Sequence, residues 1–212
     1  MSGCLPPVIL ALSSGDLALG DGFVACQANL LGRARDAYHG GLRGILLREQ
    51  ELPDAAFLEV AVSLRAIFED GWLGLHDRPH LVHEVGAEAV HLGFRSLNPL
   101  EARQCVGPDV AIGLSTHAGD QPKDFAGADY LFHGPVFPPL SKPDYLTPVG
   151  LSGLQAFVEM AEVPVWGLGG ITAEGVSTVM GAGARGVATL GGLLPQDDPA
   201  HAYAVLAEKV AP

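Results

Sequence analysis

Short apolar runs alternate along this chain with longer stretches whose apolar positions return every three or four residues. The first pattern suits a strand buried on both faces, the second a helix with one buried stripe. Residues 7–12 (PVILAL) predict a strand and 27–38 (QANLLGRARDAY) a helix. Residues 44–48 (GILLR) predict the next strand. The helix over 53–70 (PDAAFLEVAVSLRAIFED) has proline at its opening, where a missing N–H costs nothing. The third pair is 72–76 (WLGLH) with 79–87 (PHLVHEVGA), and the fourth is 88–92 (EAVHL) with 98–107 (NPLEARQCVG). The fifth joins 110–115 (VAIGLS) to a short, weak helix at 121–128 (QPKDFAGA). A sixth strand at 129–133 (DYLFH) leads through the proline-rich loop 134–150 to a helix at 151–162. Residues 164–170 with 172–184, then 186–192 with 198–210, complete the set.

Alternating strand–helix units imply a parallel sheet, because parallel neighbours need a crossover and the helix supplies it. Eight units of about 25 residues predict an α/β fold, a (β/α)₈ TIM barrel occupying 1–212 as one domain. The competing open, doubly wound sheet normally shows G-x-G-x-x-G after its first strand, and LSSGDLALGDG lacks that spacing. A barrel gathers its strand C-termini at one mouth, where catalytic groups belong.

Composition narrows the partners. The 212 residues are 48% hydrophobic, enough for a substantial core, and the formal net charge is −12. That charge argues against nucleic acid and anionic membranes, which need clustered Lys and Arg. Cys4, Cys26 and Cys105 are odd in number and lack CxxC spacing, which points to a reducing compartment. No basic leader and no membrane-length apolar run is evident, so the expectation is a cytoplasmic protein, with a homo-oligomer left open.

At the predicted mouth, Arg48 and Glu49 follow strand two, His76 and Asp77 strand three, and His91 lies in strand four. Ser115 and His117 follow strand five, His133 ends strand six, and Lys142, one of three lysines, lies in the loop beyond. Four histidines crowd residues 75–94, but His80 and His83 belong to a helix while His76 and His91 belong to strands, so a shared metal site is disfavoured. Arg48 could instead pair with Glu49 or Glu51, Asp77 could cap the helix opened by Pro79, and His91 reads better as a satisfied core histidine. Glycine pairs Gly169–Gly170 and Gly191–Gly192 follow strands seven and eight. Bare backbone N–H groups there, with helix N-termini behind them, suit a phosphate.

LLREQ, LHDRPHLVHEVGAEAVHLG, GLSTH, ADYLFHGPVFPPLSK, VPVWGLGGIT and AGARGVATLGGLL, in that order and spacing, resemble the thiamine phosphate synthase / TenI-type thiazole tautomerase superfamily. The resemblance covers about residues 43–194. It implies a barrel that holds a thiazole phosphate, a small phosphorylated heterocycle, at its Gly-rich loops. The synthase couples this to a pyrimidine pyrophosphate with Mg²⁺. Arg48, Asp77 (a metal ligand), Ser115 and Lys142 match the synthase pattern. Departures are Gln50 for its lysine, Leu46 for its glutamine, His76 for its asparagine, Ser96 for its second aspartate and Phe94 for another glutamine. Pro139 and Ser141 replace its threonine pair. These losses weaken the Mg²⁺–pyrophosphate site and favour a TenI-like tautomerase, an isomerase needing no cofactor; the synthase, a transferase, and a non-catalytic phosphate-binding homologue are the alternatives. The tautomerase histidine falls on Pro135, so His133, two residues earlier, is the expected proton carrier, with Lys142 and Arg48 as catalytic partners and His76, Asp77, Ser115 and His117 around the substrate.

Overall fold

The computed structural model describes residues 4–93, 96–138 and 147–210. Its strands are β1 (Ile9–Leu12), β2 (Gly44–Leu47), β3 (Trp72–His76), β4 (Ala89–Leu92), β5 (Ala111–Thr116), β6 (Tyr130–His133), β7 (Val165–Leu168) and β8 (Gly186–Thr189). All pair in parallel with their sequence neighbours, and β1 closes on β8 with Ile9 opposite Val187, giving a closed eight-stranded barrel. The helices are α1 (Phe23–His39), α2 (Asp54–Ile67), α3 (Val82–Val85), α4 (Pro99–Val106), α5 (Gly150–Met160), α6 (Ala173–Gly181) and α7 (Pro199–Glu208). A 3₁₀ turn, Pro79–Leu81, precedes α3.

The helix expected over 121–128 is not there. A single 3₁₀ turn, Pro122–Asp124, replaces it. QPKDFAGA has too few apolar positions to bury a helical stripe, and of these only Phe125 and Ala128 are buried. The ring of helices is therefore thin beside β5 and β6.

Two apolar layers follow from strand alternation. Leu10, Leu46, Trp72, Tyr130, Phe132 and Trp166 fill the lumen, while the outward residues join the helices in the larger core. The two indoles close the bottom by donating to backbone, Trp72 Nε1 to Cys4 O at 2.8 Å and Trp166 Nε1 to Pro7 O at 2.9 Å. Large lumen aromatics need an opposing gap. A Cβ on Gly113 would lie 2.2 Å from Tyr130 Cζ and 2.4 Å from His91 Nδ1, so glycine is what lets those two rings meet.

Candidate functional site

Parity decides which polar groups reach the lumen. Counting from Trp72, Ala89 and Ala111, the inward residues include His76 on β3, His91 on β4 and Ser115 on β5. Register sets His76 beside His91, with ring centroids 6.1 Å apart. His91 Nε2 meets Ser115 Oγ at 2.9 Å, its Nδ1 meets Tyr130 OH at 3.3 Å, and its ring stacks on Phe132 at 4.0 Å. His91 is thus a satisfied lumen residue, as its sequence setting suggested. Burial holds it well below the ordinary histidine pKa, with His76 and Arg48 adding to the effect. Burial likewise lowers His76 to about 4; Asp77 opposes that, and Arg48 and Arg78 assist it. Both rings are neutral at pH 7.

Arg48, half-buried at the end of β2, does not pair with Glu49 or Glu51 among the described residues. Its Nη2 donates to Gln50 Oε1 at 3.2 Å, so the residue standing in for the family's lysine braces the arginine instead of adding a charge. Glu49 is buried, 1% exposed, and accepts the N–H groups of Gly15 at 3.1 Å and Leu17 at 2.8 Å. It pins the segment between β1 and α1, and that segment abuts Arg48: a Cβ on Gly15 would lie 2.7 Å from Arg48 Nη1. No sequence signal marked Glu49 as an anchor, because a carboxylate beside an arginine reads first as its ion-pair partner.

Asp77 is not a helix cap. The turn at Pro79–Leu81 takes Arg78 as its N-cap and has no side-chain cap bond. Asp77 instead adopts the left-handed region, φ 54°, which aspartate tolerates better than most residues. Its N–H donates to His91 O at 3.0 Å. Its Oδ1 accepts from Gly93 N–H at 3.0 Å and from the Ser96 hydroxyl, and its Oδ2 lies 3.2 Å from His76 Nδ1. The two positions that match the family's metal-binding aspartates are therefore in direct contact. No group of three or more His, Cys, Asp or Glu side chains among the described residues could hold a metal, so the four-histidine cluster is not one. His80 is exposed and sits on Asp54 Oδ2 at 2.9 Å, and His83 is exposed.

His133 departs from expectation. Tyr130 and Phe132 point inward, so His133 points out, where it stacks on Phe157 of α5 at 3.7 Å and 7°. Thr116 Oγ–H donates to Phe132 O at 3.0 Å, so its oxygen accepts from His133 Nδ1–H, also at 3.0 Å. Burial lowers this histidine to about 4, with Asp120 raising and His117 lowering it. His117 is thus electrically close to His133, and its own N–H donates to Asp120 Oδ2 at 2.8 Å. His133 therefore presents its ring to α5 and not to the lumen. Lys142, Phe94, Pro139 and Ser141 lie outside the described residues.

The glycine pairs differ from each other. Gly169 and Gly170 have φ of 94° and 65°, and a Cβ on Gly170 would lie 2.6 Å from the carbonyl oxygens of Phe137 and Pro138. Gly191 faces open space, whereas Gly192 N–H is already given to Thr189 Oγ1 at 3.0 Å. Thr172, at the N-cap of α6, spends its hydroxyl on Glu174, leaving the first-turn N–H groups without a side-chain cap.

A closed parallel barrel whose β2–β5 rim is polar and whose β7–β8 loops are glycine-rich has the layout in which TIM barrels commonly hold a phosphate. A sequence model described as thiamine monophosphate synthase matches residues 21–193, and the chain belongs to that family. It is 34% identical over 180 residues to a thiamine-phosphate synthase of Moorella thermoacetica, covering 83% of this chain and 86% of that one. It is 37% identical over 174 residues to a thiamine biosynthesis bifunctional protein ThiM/ThiE of Symbiobacterium thermophilum, spanning 80% of this chain and 36% of that longer one. Among solved structures, a thiamine phosphate pyrophosphorylase from Pyrococcus furiosus superposes with a TM-score of 0.78 at 25% identity, covering 95% and 94% of the two chains. These relatives favour the synthase alternative over the tautomerase, reversing the order that the residue departures suggested. No helix among the described residues is long and apolar enough to cross a membrane.

Proposed function

We propose that this protein joins a pyrimidine pyrophosphate to a thiazole phosphate, releasing pyrophosphate, at the mouth formed by its strand C-termini. The contact between Asp77 and Ser96 carries the reading: residues 19 apart in sequence meet where the synthase pattern gathers its metal ligands. Mg²⁺ binds oxygen donors and can rely on one or two carboxylates when substrate phosphates and water complete its shell. Asp77, with the Ser96 hydroxyl beside it, fits that minimal set. When bound, the cation would neutralise charge on the departing pyrophosphate. Arg48, fixed by Gln50 and the Glu49-pinned segment, would face the same developing charge, and Lys142 would join it. Gly169, Gly170 and Gly191 would offer N–H groups to the thiazole phosphate, while Gly192 would hold the turn. His76 and Ser115 would line the ring-binding wall.

Orientation speaks against the tautomerase: Pro135 occupies the position of its histidine, and His133 faces α5. The deciding experiment incubates purified protein with both substrates and Mg²⁺ and measures thiamine phosphate. Product formation dependent on both substrates is expected. Binding of thiazole phosphate with no product, or isomerisation of a carboxythiazole phosphate in its place, would overturn the reading.

A further inference from the structure

His76 Nδ1 is buried and has no hydrogen-bond partner among the described residues. A buried polar atom in that state is unfavourable unless something completes it. Asp77 Oδ2 lies 3.2 Å away without forming a hydrogen bond to it. The carboxylate is held where it is, because Oδ1 already accepts from Gly93 N–H and from Ser96.

We propose that His76 Nδ1 and Asp77 Oδ2 are paired ligands to the divalent cation of this mouth, and that this chain consequently prefers Mn²⁺-like cations to Mg²⁺. The proposal rests on the reading of Asp77 as the metal carboxylate. Two donors bound at ~2.1 Å lie about 3.0 Å apart on an octahedral centre and about 3.4 Å apart on a tetrahedral one. The observed 3.2 Å falls between these values. Consecutive residues of an extended strand present their side chains to opposite faces. The left-handed backbone of Asp77 breaks that alternation, and it brings both donors to one side. The sequence has changed in step: imidazole stands where the synthase pattern has asparagine, and a hydroxyl, Ser96, where it has the second carboxylate. One hard oxygen ligand has thus gone from the set and one nitrogen has entered it. Mg²⁺ favours an all-oxygen shell, whereas first-row transition ions accept imidazole readily.

The test is Mn²⁺ binding to the whole protein with inorganic pyrophosphate, followed by electron paramagnetic resonance and by competition with Mg²⁺. Mn²⁺ should bind at least about tenfold more tightly than Mg²⁺, and pulsed spectra of the wild type should show coupling to a ring nitrogen. His76→Asn should abolish that coupling and the preference while keeping pyrophosphate-supported Mg²⁺ binding. Bound Mn²⁺ without nitrogen coupling in the wild type would overturn the proposal and leave Asp77 as a carboxylate ligand. If Asp77→Asn binds both ions as the wild type does, the reading of Asp77 falls, and this proposal with it. The wild-type spectrum decides the ligand even if the His76 variant folds poorly.

Discussion

His91 and His133 are near-twins in environment and opposites in position. Each is buried, each is held neutral by desolvation, and each stacks on a phenylalanine, Phe132 for one and Phe157 for the other. One lies in the lumen under the mouth, the other between the barrel and α5. Burial and a depressed pKa therefore do not identify a catalytic histidine in this fold. The side of the wall decides only which ring can reach the mouth, and it depends on the parity of a four-residue strand.

The sharpest way to break the comparison is to alter the lumen rim alone. Arg48→Ala should lower kcat/KM for thiamine phosphate formation by about 10²–10³-fold, the scale of a lost donor to developing charge, with the fold intact by circular dichroism. A loss below about threefold would remove Arg48 from the reaction.

Acid should expose what the two positions share. A histidine whose folded pKa is about 4 binds a proton near 6.5 only when unfolded, so unfolding becomes easier as pH falls from 6.5 towards 4. Urea melts at pH 7 and pH 4.5 should show His133→Leu losing less stability than the wild type over that interval. An identical loss would mean that the ring is solvated in the native state.

Across the mouth, the glycine pairs offer a smaller effect with a clean control. Gly191 has room for a side chain, so Gly191→Val should fold normally and weaken thiazole phosphate binding by about tenfold, or ~1.4 kcal/mol. Unchanged affinity by calorimetry would place the phosphate elsewhere. The smallest effect expected is on turnover at pH 7 in His133→Leu, within about twofold of wild type, since the ring faces away from the substrates.

Much of this was legible in the chain itself. WLGLH, EAVHL and DYLFH predicted strands to within a residue, because proline and glycine punctuate them and buried parallel strands are apolar throughout. That same uniformity hid the parity of DYLFH: with both faces apolar, nothing in the run says that Tyr130 and Phe132 point inward. QPKDFAGA failed as a helix for want of an apolar stripe. The alternative of Asp77 as a cap stood open in the sequence because a cap and a left-handed turn both favour aspartate before a proline-led turn. Contact between Asp77 and Ser96 could be anticipated only from family resemblance, since pairing of β3 with β4 sets it and local pattern does not.

Glu49 has a thermodynamic consequence for ligand binding. Fixing the backbone of one residue costs about 1–2 kcal/mol in conformational entropy. A loop that orders only when its ligand arrives subtracts that cost from affinity. By gripping the N–H groups of Gly15 and Leu17, the buried carboxylate settles the order of this wall during folding. If substrates bind at the proposed mouth, they would meet a rigid surface on the β1–β2 side, and calorimetry should find association there free of the large entropic penalty that accompanies a closing lid.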